Sequence, residues 1–148
     1  MLIRSITTSD VESIFTIMKS NMQPYYAARG EEWNKDSIRR YFLGMNSAVV
    51  EHEGEICAFT FYECSPESIH IHTFQVAPVR QNGILGGKLF RWYLALAKQH
   101  GYSELSCCVY DSNPALIMYL KMGFEELGRD NGTVRLSLPV NKARHGDR

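Results

Sequence analysis

The sequence carries no excess charge of either sign: its 148 residues hold 16 Lys plus Arg against 16 Asp plus Glu. Phosphate-backbone polymers are bound by a basic excess on one face, so nucleic acid is not an expected partner. Cysteine is scarce and shows no metal-ligand spacing. Cys57, Cys64, Cys107 and Cys108 include one adjacent pair inside the apolar run ELSCCVY, a pattern expected of buried free thiols in a reducing compartment, with no metal. No apolar run is long enough to span a bilayer, and the opening MLIRSITTSD has no apolar signal core. The cytoplasm is therefore the expected compartment, without a membrane partner. Internal repeats and low-complexity blocks are also missing. What the chain does have is core material: 45% of its residues are hydrophobic, which suits one domain over residues 1–140, with 141–148 (NKARHGDR) as a frayed tail.

Hydrophobic periodicity orders the elements. LIRSI reads as a short strand, and Thr8-Ser9-Asp10 caps a helix whose apolar residues Val11, Ile14, Phe15, Ile17, Met18 and Met22 keep helical spacing until Pro24 interrupts it. Asn34 caps a second helix, KDSIRRYFLG, ending at Gly44. NSAVVEHEGEICAFTFYEC is two strands joined at Glu53-Gly54, and SIHIHTFQVAP is a third after Ser65-Pro66. A helix with Leu85, Leu89, Trp92, Tyr93 and Leu96 on one side stops at Gly101. ELSCCVY is a buried strand. Asn113-Pro114 opens a helix that Gly123 ends before two closing strands, FEELG and TVRLSLP. The order β-α-α-β-β-β-α-β-α-β-β predicts an α/β mixed sheet: an antiparallel meander, then a right-handed βαβ crossover.

The segment VRQNGILGGKLF at the head of that crossover helix holds three glycines in five positions. Glycine in a helix interior costs about 1 kcal/mol relative to alanine, so the cluster suggests that backbone must approach something closely. The natural guest is a phosphate, because the first amides of a helix lack intrahelical partners and sit at the positive end of its dipole. A mononucleotide P-loop does not fit: Gly83 to Gly87 is one residue too short, and Leu89 stands where a magnesium-binding hydroxyl is needed. A dinucleotide fingerprint does not fit either, since the loop follows antiparallel-type strands and lacks the G-x-G-x-x-G spacing.

What the segment resembles is the acyl-CoA loop of the GNAT N-acetyltransferase superfamily, and the resemblance covers nearly the whole chain. The family pattern is a strand ending V-x-P, then [QR]-x-x-G-x-[GA] opening a helix, a further strand, and N-x-x-[AS]-x-x-x-Y-x-x-x-G-F. Here these positions hold Val76-Ala77-Pro78, Arg80-Gln81-Asn82-Gly83 followed by Gly86 and Gly87, and Asn113-Pro114-Ala115 leading to Tyr119 and Gly123-Phe124. One position departs. The small residue two places after Gly83 is Leu85, with Gly86 next, which implies a one-residue insertion in the loop.

The resemblance implies the GNAT fold and acetyl transfer from acetyl-CoA to a primary amine of a small molecule or protein, by a monomer or homodimer. A GNAT-fold sensor that binds acyl-CoA without transferring anything is the alternative. It implies pyrophosphate contacts from Arg80, Gln81, Asn82, Gly83, Ile84, Leu85, Gly86, Gly87 and Lys88. Phe74, Gln75 and Val76 would pair with the pantetheine arm where the strands on either side of the helix splay. Tyr119 takes the family role of general acid to the CoA sulfur, and Asn113 is a cap and cofactor contact.

Acetyl transfer also needs a group to take the amine proton. ELSCCVY has no acid beyond Glu104, whereas alternation puts His70 and His72 of the preceding strand on one face with Phe74 and Val76. Imidazole titrates near neutrality, so either histidine is a candidate base, and His70 lies nearer the expected amine entrance. A solvated strand face explains the same pair. Acceptor recognition is expected from NMQPYYAARGEEW, a loop-like stretch with the rings of Tyr25, Tyr26 and Trp33 beside Arg29, Glu31 and Glu32. A helix corner packed by aromatics accounts for it equally well.

Overall fold

The computed structural model describes residues 1–81 and 83–142. Among these residues the elements run β1 (Leu2–Arg4), α1 (Val11–Ala28), α2 (Lys35–Phe42), β2 (Asn46–His52), β3 (Glu55–Cys64), β4 (Ser68–Val76), α3 (Leu85–His100), β5 (Glu104–Tyr110), α4 (Ala115–Met122), β6 (Glu125–Asp130) and β7 (Thr133–Pro139). Their order is the one that periodicity predicts. The strands follow β1-β2-β3-β4-β5-β7-β6 across the sheet. β4 and β5 are parallel, as a helical crossover requires, while β1 with β2, β2 with β3, β5 with β7 and β6 with β7 are antiparallel.

The described residues form two compact units, one of Met1–Tyr62 with Thr73–Gly86, the other of Glu63–His72 with the described residues from Gly87 on. In the first unit, the Asn34 side chain accepts a hydrogen bond from the Ser37 amide at 3.0 Å and so starts α2. Thr7 and Asp10 form a capping box ahead of α1, and Arg4 grips the same Asp10 carboxylate at 2.7 and 3.0 Å while reaching Glu51 at 2.7 Å. Asp10 is buried, and its pKa is lowered to about 2, chiefly by Arg4. The core joins Val11, Ile14, Phe15 and Met18 of α1 and Ile38 of α2 to Val49, Phe59 and Phe61 of the strands.

Pro24 does not interrupt α1. The helix continues to Ala28 with Pro24 inside it. The ring removes one backbone hydrogen bond at a cost of about 3 kcal/mol, which is offset where Met22 and Tyr26, on either side of Pro24, pack against the core. The predicted end of α2 at Gly44 also moves, to Phe42. Between β2 and β3 the tight turn falls at Glu53 and Gly54, both with positive φ (51° and 80°), the backbone that a two-residue hairpin needs.

In the second unit β5 pairs with β7 along its whole length, Glu104↔Pro139 to Tyr110↔Thr133. α3 begins at Leu85, so Gly83 and Ile84 precede the helix and do not start it. Its buried stripe is Leu85, Leu89, Phe90, Tyr93, Leu94 and Ala97, whereas Trp92 and Leu96, expected on that side, are only half-buried. The thiols divide as well. Cys57 and Cys107 are buried but Cys64 and Cys108 are exposed; in β5 the adjacent Cys107 and Cys108 take opposite faces because the strand alternates. Past the predicted boundary at residue 140, a 3-10 turn covers Val140–Lys142; residues 143–148 of the expected tail lie outside the described residues.

Candidate functional site

The glycine segment becomes a short turn and, at Gly83 and Ile84, a bend that leads into a 16-residue helix. Proline at 78 opens a short 3-10 turn, Pro78–Arg80, and Gln81 leaves it in extended conformation. Asn82, one of the predicted contacts, lies outside the described residues. Leu85 is buried, so its side chain belongs to the core and only its main chain faces the task predicted for it. Leu85, Gly86 and Gly87 stand in the first turn of α3, where the amides have no intrahelical carbonyl to bond, and Lys88 follows them. No acidic side chain stands in that turn. A Cβ built on Gly87 would lie 3.4 Å from a guanidinium nitrogen of Arg91, so the helix entrance carries a cation one turn in. Backbone donors, the helix dipole and this guanidinium together suit a pyrophosphate, and the segment fits the group that acyl-CoA would bring. Arg91 was not among the expected contacts, although its place four residues after Gly87 is a helical neighbour's spacing.

At the end of β4, Gln75 is buried while Phe74 and Val76 are half-buried. The β4–β5 ladder runs from Ser68↔Glu104 to Ile71↔Cys107; β4 itself continues to Val76 and β5 to Tyr110. Asn21 of α1 reaches the end of β4, donating to Gln75 Oε1 at 3.0 Å and to the Val76 carbonyl at 2.9 Å. No sequence signal marked Asn21, which is 55 positions away from Val76.

The two histidines do share a face, with ring centroids 4.6 Å apart. Their partners differ. His70 Nδ1 is 2.8 Å from Ser106 Oγ of β5, and His72 Nε2 is 2.7 Å from a carboxylate oxygen of Glu63. Burial lowers the pKa of His70 below its usual value, His72 lowers it further, and Glu63 opposes both. His70 is thus neutral near pH 7 and able to accept a proton. Glu63 and Ser106 were not foreseen: Ser106 follows from the parallel register His70↔Ser106, but β3 and β4 had to be neighbours in the sheet before Glu63 was visible.

α4 starts as Asn113 dictates, its Oδ1 accepting from the Ala115 amide at 2.9 Å, and ends at Gly123 with φ 109°. Tyr119 sits in its second turn, buried, with its ring 5.2 Å from that of Phe124. Burial raises the hydroxyl well above the usual tyrosine pKa, and Cys107 and Tyr93 add to the rise. The proton stays on Oη at any physiological pH.

The segment expected to recognise the acceptor is mostly helix, not loop. Tyr25 and Tyr26 belong to the last turns of α1. Tyr26 and Trp33 meet edge-on at 5.3 Å and pack against the first unit's core. Arg29 closes α1 and bonds Glu31 at 2.7 Å; Glu32 is exposed and Tyr25 half-buried. Among the described residues no group of three or more His, Cys, Asp or Glu side chains could hold a metal ion. Among the described residues no helix is long and apolar enough to cross a membrane.

Residues 12–124 match the acetyltransferase (GNAT) family. No curated protein matches the sequence. Among solved structures, the ribosomal-protein-S18-alanine N-acetyltransferase of Escherichia coli superposes with a TM-score of 0.74 at 20% identity, over 94% of this chain and 93% of that one. The PaiA N-acetyltransferase of Thermoplasma acidophilum, in complex with coenzyme A, gives 0.76 at 14% identity, over 93% and 98%. An N-acetyltransferase from Staphylococcus aureus Mu50 gives 0.73 at 18%, over 94% and 98%. Likeness at these identities is likeness of fold.

Proposed function

Because the chain belongs to the acetyltransferase (GNAT) family, we propose that residues 1–140 act as one N-acetyltransferase domain that passes an acetyl group from acetyl-CoA to a primary amine of a small molecule or protein. The observation that carries this reading is the entrance of α3, where glycine backbone, an acid-free first turn and the Arg91 guanidinium converge. The main chain of Gly83 to Lys88, with Arg80 and Gln81, would hold the pyrophosphate, and Phe74 to Val76 with Asn113 the remainder. Acetyl-CoA, when bound, supplies an activated acyl group as a thioester.

The chain's own residues supply the proton handling. His70, neutral and braced at Nδ1 by Ser106, is the base we propose for the amine proton, with His72 beside it held by Glu63. Tyr119 holds a proton at Oη in a dry site, the property a general acid needs. Tyr25, Arg29 and Glu32, with Tyr26 and Trp33 behind them, remain the proposed acceptor wall. Release of free thiol from acetyl-CoA, followed across a panel of small amines and peptide N-termini, tests the reading. Amine-dependent release supports an enzyme; CoA binding without release on any amine favours the sensor.

A further inference from the structure

Two side-chain amides meet at one backbone carbonyl in the first unit, and a third joins them through Asn21. Asn21 donates to the Val76 carbonyl at 2.9 Å and to Gln75 Oε1 at 3.0 Å. Gln81, in the loop after β4, donates to the same carbonyl at 3.2 Å and to Asn21 Oδ1 at 3.0 Å. Gln75 passes the chain on to Thr73 Oγ1 at 2.8 Å, and the Thr73 carbonyl is held by the Thr60 hydroxyl at 2.7 Å.

The orientation of each amide is forced. A backbone carbonyl can only accept, so Asn21 and Gln81 must both turn their NH₂ groups toward Val76. Gln81 is then left to donate to Asn21 Oδ1, and Gln75 must present its oxygen to Asn21. Both lone pairs of the Val76 carbonyl and both hydrogens of the Asn21 amide are thereby used. Gln75 and Thr60 are buried, where an unmatched polar group costs about 1–3 kcal/mol, so the set is favoured as a whole. It joins a helix, the end of a strand and the first residues of the glycine loop, segments that are far apart in sequence.

We propose that Asn21 is a positioning residue for the acyl-CoA site: it clasps the end of β4 through the Val76 carbonyl and the loop through Gln81, keeping the main chain that follows in its binding shape. The inference rests on the acetyl-CoA reading above. α1 is thereby tied directly to the cofactor loop, and the Val76 carbonyl is committed inside the protein.

Calorimetric titration with CoA tests it on the wild type, Asn21→Leu, Gln81→Leu and the double variant. Each single change should weaken CoA binding about tenfold, the worth of one to two hydrogen bonds, and the double variant should bind no more weakly than the worse single. Because Gln81 is exposed, its variant reads the clasp from the loop side without threatening the fold. Wild-type affinity in Asn21→Leu, or losses that simply add in the double variant, would overturn the clasp while leaving the cofactor reading intact. A wild type that binds no CoA would instead bring down the cofactor reading.

Discussion

His70 Nδ1 and Ser106 Oγ face each other at 2.8 Å across the parallel ladder of β4 and β5. The bond fixes the imidazole in a half-buried place where its neutral form is favoured. If His70 takes the amine proton, kcat/KM should fall on the acid side, with a midpoint below the usual histidine value of about 6.5. His70→Gln should remove that limb and cost about a hundredfold or more in rate. His72→Gln should keep the limb and move its midpoint upward, because the neighbouring His72 is one cause of the depression. A profile unchanged in both variants would place the base elsewhere.

Tyr119→Phe tests the proposed acid. The hydroxyl is buried and protonated, so its loss should act on turnover: kcat down about a hundredfold, with CoA affinity within about threefold of wild type. Parallel losses in binding and rate would make Tyr119 a packing residue.

Asp10 sets part of the pH dependence of stability. Its pKa of about 2 in the folded protein lies below the 3.8 of a free aspartate. A carboxylate depressed in this way contributes stability that is complete above the unfolded value and is lost as pH falls from 3.8 toward 2. Asp10→Ala should therefore lower unfolding free energy by about 1–2 kcal/mol at pH 7, and the gap to wild type should close in acid below that window. Denaturant titrations at pH 7 and at about pH 1.5, below the folded value, check both points.

The strands were legible because period-two alternation and turn residues agree: Glu53-Gly54 sits at the hairpin, and ELSCCVY is β5 residue for residue. The caps Asn34 and Asn113 were legible for the same local reason. Pro24 misled because its local cost is outweighed by core contacts on both sides of it, which a local reading does not weigh. The same local reading takes the stretch around Tyr26 and Trp33 as loop, where the fold has Tyr26 in α1 and both rings packed against the core. The pairings His72 with Glu63, His70 with Ser106 and Asn21 with Val76 were hidden because each depends on register or helix placement, not on a spacing along the chain.

The most direct test of the central claim is calorimetric titration of CoA into the purified protein and into Gly86→Pro. The substitution deletes one amide in the first turn of α3, where no intrahelical hydrogen bond is lost, so the fold should survive while the anion site loses a donor. The account predicts one CoA bound per chain with micromolar affinity or better, about the range of cellular co-substrates, and at least tenfold weaker binding in the variant. A wild-type protein that takes up no CoA, or a variant that binds as tightly as wild type, would contradict it.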